Sequence, residues 1–218
     1  KLVLVDGGIV KNDRNELAEI SGIESLEVRN QRGASQTVDF DAIKDNVLEK
    51  VTVRDEKADA DDSKFVFKNV SKEFADNKKF VIEHSVTKTA AEDKRMPELD
   101  ISLKDGTGAN DKVTVEVVKA PNKQEDFGFK VKTDAIENVN IIDSDDDNNT
   151  VVLIQSGVAA PKADVVVKGG VAGKYFELVG DKVLNDYSHI KAATIDASEY
   201  LGDFRVTVDG ANQKISLG

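Results

Sequence analysis

The sequence predicts an all-β fold, a parallel β-solenoid-like stack of short strands, with a β-sandwich of one or two domains as the alternative. Three observations predict it. First, apolar and polar residues alternate with a period of two in many short runs. The clearest is Asn138-Val139-Asn140-Ile141, where Val139 and Ile141 point one way and the asparagines the other. Second, roughly fourteen such runs are separated by Gly-, Asn- and Asp-rich turns at the ~8–12 residue spacing of sandwiches, barrels and solenoids. Third, one pattern recurs, an apolar residue, two polar residues, then apolar-polar-apolar. It reads Ile23-Glu24-Ser25-Leu26-Glu27-Val28, Leu48-Glu49-Lys50-Val51-Thr52-Val53 and Ile136-Glu137-Asn138-Val139-Asn140-Ile141. Pairs of strands return at intervals near the ~20–50 residues of stacked repeats, although without a fixed period. Long helices are missing from the pattern, which removes α/β enzyme folds.

Taken in order, Leu2-Val3-Leu4-Val5 is a short apolar strand stopped by Asp6-Gly7-Gly8. Residues 11–18 are polar and fit a brief helical turn. Strands follow at 23–28 and 37–40, with a turn at Gln31-Arg32-Gly33-Ala34-Ser35 between them; 42–48 reads equally as helical turn or loop. After the strand at 48–53 comes a charged stretch with Asp59, Asp61 and Asp62. Lys64-Phe65-Val66-Phe67-Lys68-Asn69-Val70 and Phe80-Val81-Ile82-Glu83-His84-Ser85-Val86 are strands rich in aromatic and β-branched residues, joined by a polar turn over 74–79. Residues 87–95, the most helix-like or disordered stretch, have no apolar face and read as a loop or as the seam between two halves, and Pro97 ends any helix there. This divides the chain into a β region over 1–95 and a β repeat region over 96–218. In the second part strands are expected at 99–103, 113–117, 127–131, 136–142, 150–154, 163–167, 175–179, 192–198, 204–208 and 215–217.

Composition narrows the function classes. The 218 residues are 39% hydrophobic and 33% charged, with a net charge of -11. That acidity argues against a nucleic-acid partner, whose phosphates require Lys and Arg clusters, and suits calcium or solubility. There is no cysteine, so no disulfide or thiolate metal site. No signal peptide and no apolar run of about 18 residues is present, so no membrane span is expected. A chain that begins at Lys1 reads as a fragment, a processed product or the ordered part of something longer.

The candidate site is the acidic turn between two strands of the repeat region. Asp143, Asp145 and Asp147 stand at alternate positions with Asn149 following. A hard cation such as calcium takes six to eight oxygens, and alternating Asp and Asn supply several; the competing reading is a solvated acidic turn. The loop is not an EF-hand, since it lacks the glycine at the sixth position and the glutamate at the twelfth. Asp105, Asn110 and Asp111 with two glycines form a second candidate, and Asp59, Asp61 and Asp62 a third. His84 and His189 lie on different elements with no metal-ligand spacing. Phe65, Phe67, Phe127 and Phe129 read as core residues. Neither a nucleotide loop nor a nucleophile elbow is present, and no catalytic residues are assigned.

From Asp105 onwards the order of features resembles the repeat region of bacterial surface-layer proteins and related RTX-like adhesins exported by type I secretion. The residues that carry the resemblance are Asn110-Asp111-Lys112-Val113-Thr114-Val115, Ile136 to Ile141, Asn149-Thr150-Val151-Val152-Leu153, and Thr194-Ile195-Asp196-Ala197-Ser198-Glu199-Tyr200-Leu201-Gly202. The family's Gly-Gly-x-Gly-x-Asp nonapeptide does not occur. Similar repeats are found in virion proteins of some bacteriophages. The resemblance implies a non-enzymatic structural protein of the cell surface or extracellular space, a self-assembling surface-layer or adhesin module stabilised by calcium. Its partners would be copies of itself or neighbouring structural subunits. The alternatives are a phage head-decoration or fibre domain in a virion and, third, a secreted β-solenoid enzyme acting on polysaccharide.

Overall fold

The computed structural model describes residues 1–8, 20–33, 35–43, 47–56, 63–84, 96–108, 110–119, 127–156, 164–180, 182–183, 186–187, 190, 192–208 and 213–218. The expected helical turn at 11–18, the seam at 87–95, the acidic group at 59–62 and His189 lie outside the described residues, as does the side chain of His84.

The first half contains β1 (Leu2–Val5), β2 (Ser25–Asn30), β3 (Gln36–Asp39), a 3-10 turn (Phe40–Ala42), β4 (Lys50–Asp55), β5 (Lys64–Val70), α1 (Lys72–Asn77) and β6 (Lys79–His84). The second half contains β7 (Glu98–Leu103), β8 (Lys112–Lys119), β9 (Phe127–Asp134), β10 (Asn138–Asp143), β11 (Asn149–Ser156), β12 (Asp164–Gly169) and β13 (Tyr175–Val179). It ends with a small antiparallel pair, β14 (Lys182–Val183) and β15 (Asp186–Tyr187), then β16 (Thr194–Tyr200), β17 (Asp203–Val206) and β18 (Lys214–Leu217).

From β2 onwards, apart from the β14–β15 pair, successive strands alternate between two sheets. Nine strands form one in the order β1-β2-β4-β6-β8-β10-β12-β16-β18, and seven form the other in the order β17-β13-β11-β9-β7-β5-β3. Every pairing within these two sheets is parallel. Each coil from β2–β3 to β16–β17 thus supplies one strand to each sheet, which is the solenoid-like stack the sequence predicts. Pairing continues across the expected division at 95/96, because β6 pairs with β8 and β5 with β7.

The core lies between the sheets and is made of ladders, one residue per coil. Leu2, Leu26, Val51, Phe80 and Val115 are consecutive register partners in the larger sheet, and Ile141 and Val167 continue the series. From Leu26 onwards all are at most 1% exposed. Parallel strands stack about 4.8 Å apart, so each apolar side chain packs on its counterparts above and below. Two of the three copies of the recurring sequence pattern coincide with this register, Leu26 partnering Val51 and Val28 partnering Val53; the third is displaced by two residues, Ile141 and not Val139 falling in the ladder of Leu26 and Val51. The offset per coil varies from 20 residues, Ile195 to Ile215, to 35 residues, Phe80 to Val115. Corners absorb the difference, which is why no fixed period shows in the sequence.

One expectation fails in the first half. The polar turn expected over 74–79 is largely helix. Ser71 caps it, its side chain accepting from the Phe74 N–H at 3.2 Å. Phe74 is buried between Phe40 and Phe80, with ring centroids 5.2 and 5.4 Å away, and Ala75 is buried beside it. The aromatic payload of Phe74 draws a six-residue segment into helix that its polar neighbours hide.

Candidate functional site

The turn between β10 and β11 is held at the inner edge of the solenoid by both flanking strands. Asp143 occupies a core ladder. Its series in the larger sheet runs Leu4, Val28, Val53, Ile82 and Val117, and then becomes Asp143, Gly169 and Tyr200. Asn149 occupies a position stacked on Phe127 on one side and Phe176 on the other. Two places that hydrophobic side chains fill elsewhere are polar in this coil. Consequently Asp143 is 3% exposed, Asp145 2% and Asn149 0%. The reading of a solvated acidic turn is therefore overturned: the strand register carries these side chains inward.

The buried groups bind one another. Asp143 Oδ1 accepts from the Asp145 N–H at 3.3 Å and from Asn149 Nδ2 at 2.9 Å. Asp143 Oδ2 accepts from the Tyr200 hydroxyl at 2.9 Å. Asp145 Oδ1 accepts from the Asp147 N–H at 3.0 Å, and Asn149 Nδ2 also donates to the Asp147 carbonyl at 3.2 Å. Tyr200 reaches Asp143 from two coils away because the intervening coil has glycine there. A Cβ on Gly169 would lie 2.1 Å from the Asp143 carbonyl oxygen, and one on Gly170 would lie 2.4 Å from the tyrosine ring.

Two oxygens stay unpaired in this arrangement. Asp145 Oδ2 and Asn149 Oδ1 are buried with no hydrogen-bond partner, a condition that costs free energy in a folded protein. One carboxylate oxygen from each of Asp145, Asp146 and Asp147 lies within 4.8 Å of the other two. On the open side, the Lys119 ammonium pairs with Asp146 and, at 2.9 Å, with Asp147; Lys174 lies 3.5 Å from Asp147.

Burial dominates the electrostatics. It pushes the Asp143 carboxyl up to about 6, against the hydrogen bonds from Tyr200, Asp145 and Asn149 that favour its charged form. Burial also raises Asp145, reinforced by the Asp147 and Asp146 charges. The Tyr200 hydroxyl is held well above its ordinary value, by burial first and by the Asp143 charge second.

The structure brings all four predicted residues, Asp143, Asp145, Asp147 and Asn149, into one corner. It differentiates them. Both Asp143 oxygens are engaged, so Asp143 positions Asn149 and Tyr200, while Asp145 and Asp147 group with Asp146. Asp146 was missed because alternate spacing assumes extended backbone, and the chain bends at 146–147. Tyr200 was missed because it is 57 residues away.

The second candidate is not a metal cluster among the described residues. Asp105 is exposed and accepts from the Thr107 hydroxyl at 2.7 Å, Asn110 is exposed, and Asp111 is buried against Lys72. Phe65, Phe67 and Phe129 are core residues, at most 1% exposed; the side chain of Phe127 lies outside the described residues. A cavity of about 210 Å³ beside α1 is lined by Phe40, Phe74, Asn69 and Ser71, and its cations are already paired, Lys104 with Asp41 and Lys78 with Glu49.

No protein-family model, curated protein or solved structure matches the chain.

Proposed function

We propose that this chain is a non-enzymatic structural module of a cell surface, a self-assembling surface-layer or adhesin segment, with calcium bound at the 143–149 corner. The observation that carries the reading is the uninterrupted stack of coils. Two parallel sheets of nine and seven strands, with core ladders that stay aligned from coil to coil apart from register shifts at β12–β16 and β5–β7, make a stiff scaffold with a regular rise per coil. A scaffold of this kind offers evenly spaced strands to a neighbouring copy. Supporting the cation are the two buried oxygens without partners on Asp145 and Asn149 and the adjacent carboxylates of Asp146 and Asp147. Oxygen-only donors of this type suit a hard cation. On binding, Lys119 and Lys174 swing away from Asp147 into solvent. No helix among the described residues is long and apolar enough to cross a membrane.

The test is a calcium titration followed in parallel by calorimetry, thermal melting and light scattering, with cell fractionation of the source. The expected results are saturable calcium binding, a raised melting temperature and growth of scattering, all lost in D145N/D147N, together with recovery at the cell surface. Absence of binding heat with an unchanged melt would remove the calcium. A chain that stays monomeric and is absent from the surface would remove the assembly role, and recovery in purified virions would replace it with a phage structural role.

A further inference from the structure

The core series that begins at Leu4 is aliphatic as far as Val117 and turns polar only at Asp143 and Tyr200, with Gly169 between them. Tyr200 ends β16, two coils beyond Asp143, and is 7% exposed. Its hydroxyl donates to Asp143 Oδ2 at 2.9 Å in a buried hydrogen bond. Its ring packs against Phe176 and Phe204, with centroids 5.9 and 6.1 Å away, and those two rings stack on each other at 6.4 Å. Phe204 belongs to β17, the end strand of the smaller sheet. Gly202 lies so close that a Cβ there would stand 3.0 Å from the tyrosine ring. The coil of β16 and β17 thus holds the ring, and the ring holds a hydroxyl against the acidic turn.

Asp143 fastens that turn on both sides of its acidic group. Oδ1 accepts from the Asp145 N–H at 3.3 Å and from Asn149 Nδ2 at 2.9 Å, and the same amide nitrogen donates to the Asp147 carbonyl at 3.2 Å. Asp145, Asp146 and Asp147 lie along the chain between these fastenings, one oxygen of each within 4.8 Å of the other two. Asp145 is 2% exposed, and its Oδ2 has no hydrogen-bond partner. The last torsion of an aspartate is soft and roughly two-fold, so contacts at Oδ1 alone leave the carboxylate plane free to turn. The Tyr200 hydroxyl on Oδ2 removes that freedom. Fixing a donor set before the ligand arrives lowers the ordering cost of binding.

We propose that Tyr200 is a positioning residue for the cation at the 143–149 corner, and that through it occupancy of the corner is coupled to the order of β16 and β17. The inference rests on the calcium reading above. Coupling of this kind is reciprocal. A turn held still by a cation also holds Asp143 and Tyr200, and a loosened aromatic stack weakens the cation site.

Calorimetric calcium titration of the full chain tests this on wild type, Y200F, F204L and S71A, with a thermal melt of each in chelator. Y200F keeps the ring and loses only the hydroxyl; it is expected to bind calcium about tenfold more weakly than wild type. F204L keeps an apolar side chain but breaks the ring stack, and is expected to weaken binding in the same direction. S71A loses the cap of α1 in the first half; it lowers the melting temperature and leaves the affinity unchanged. A merely structural Tyr200 would make Y200F behave as S71A does, and that result overturns the proposal. Amide hydrogen exchange reads the coupling from the other end. Calcium is expected to slow exchange across 194–206 in wild type and to have little effect there in Y200F. Exchange over 194–206 that ignores calcium, in a wild type that binds it, overturns the coupling and leaves the calcium site standing. A wild type with no saturable binding overturns both.

Discussion

Replacing Asp143 by asparagine changes one buried charge and little else, so the pH dependence of its effect measures the cost of that charge. In the folded chain the carboxyl is raised from 3.8 to about 6 because burial outweighs its hydrogen bonds. An acid whose folded value is raised binds more protons folded than unfolded in this window, so its contribution to stability falls as pH rises from about 4 to about 6. At about 1.4 kcal/mol per pH unit, the interval corresponds to roughly 3 kcal/mol. The asparagine side chain keeps one acceptor for Tyr200 or Asn149 and turns an amide towards the other, a mismatch whose cost of about 1–3 kcal/mol does not vary with pH. Carboxylates with lowered values, Glu27 beside Lys1 and Arg29 among them, respond in the opposite direction but do so equally in both proteins. The expected outcome is that D143N gains on the wild type by about 3 kcal/mol between pH 4 and pH 7. Guanidinium unfolding in the presence of chelator, followed by tyrosine fluorescence, reads the difference. A D143N-minus-wild-type difference that stays flat from pH 4 to pH 7 would refute the claim that Asp143 is buried and charged at neutral pH.

Three further outcomes are expected. Ile141→Ala, at a fully buried ladder position between Val115 and Val167, should lose about 2–5 kcal/mol in denaturant unfolding. Gly170→Ala places a Cβ 2.4 Å from the Tyr200 ring at a φ of 78°; it should cost about 1–3 kcal/mol and shift the near-ultraviolet tyrosine spectrum as the Tyr200–Asp143 bond breaks. Ser71→Ala removes the cap of α1 and should lower stability by about 1 kcal/mol without altering the far-ultraviolet strand signal.

What was legible in the sequence follows from what is local. Val139 and Ile141 facing in and Asn138 and Asn140 facing out is a two-residue rule, and the strand obeys it. The shared spacing of Leu26 and Val28 with Val51 and Val53 even revealed a register. The same alternation extended by one step puts Asp143 inside, against the expectation that its charge creates. Phe74 was hidden for the converse reason, one large apolar side chain among charged neighbours. Contacts between coils were out of reach. Tyr200 on Asp143, and Lys72 on Asp111, depend on how many residues each corner absorbs, and that length follows no pattern in the chain.

The variable corner has a consequence for engineering and for evolution alike. Since coils differ by as many as 15 residues in length while their ladders stay aligned, a graft at a corner need not disturb the spine. A peptide inserted there would be displayed at a height fixed by its coil number, a few ångströms per step. A family of such chains could diversify its rim freely while its interior stayed almost the same.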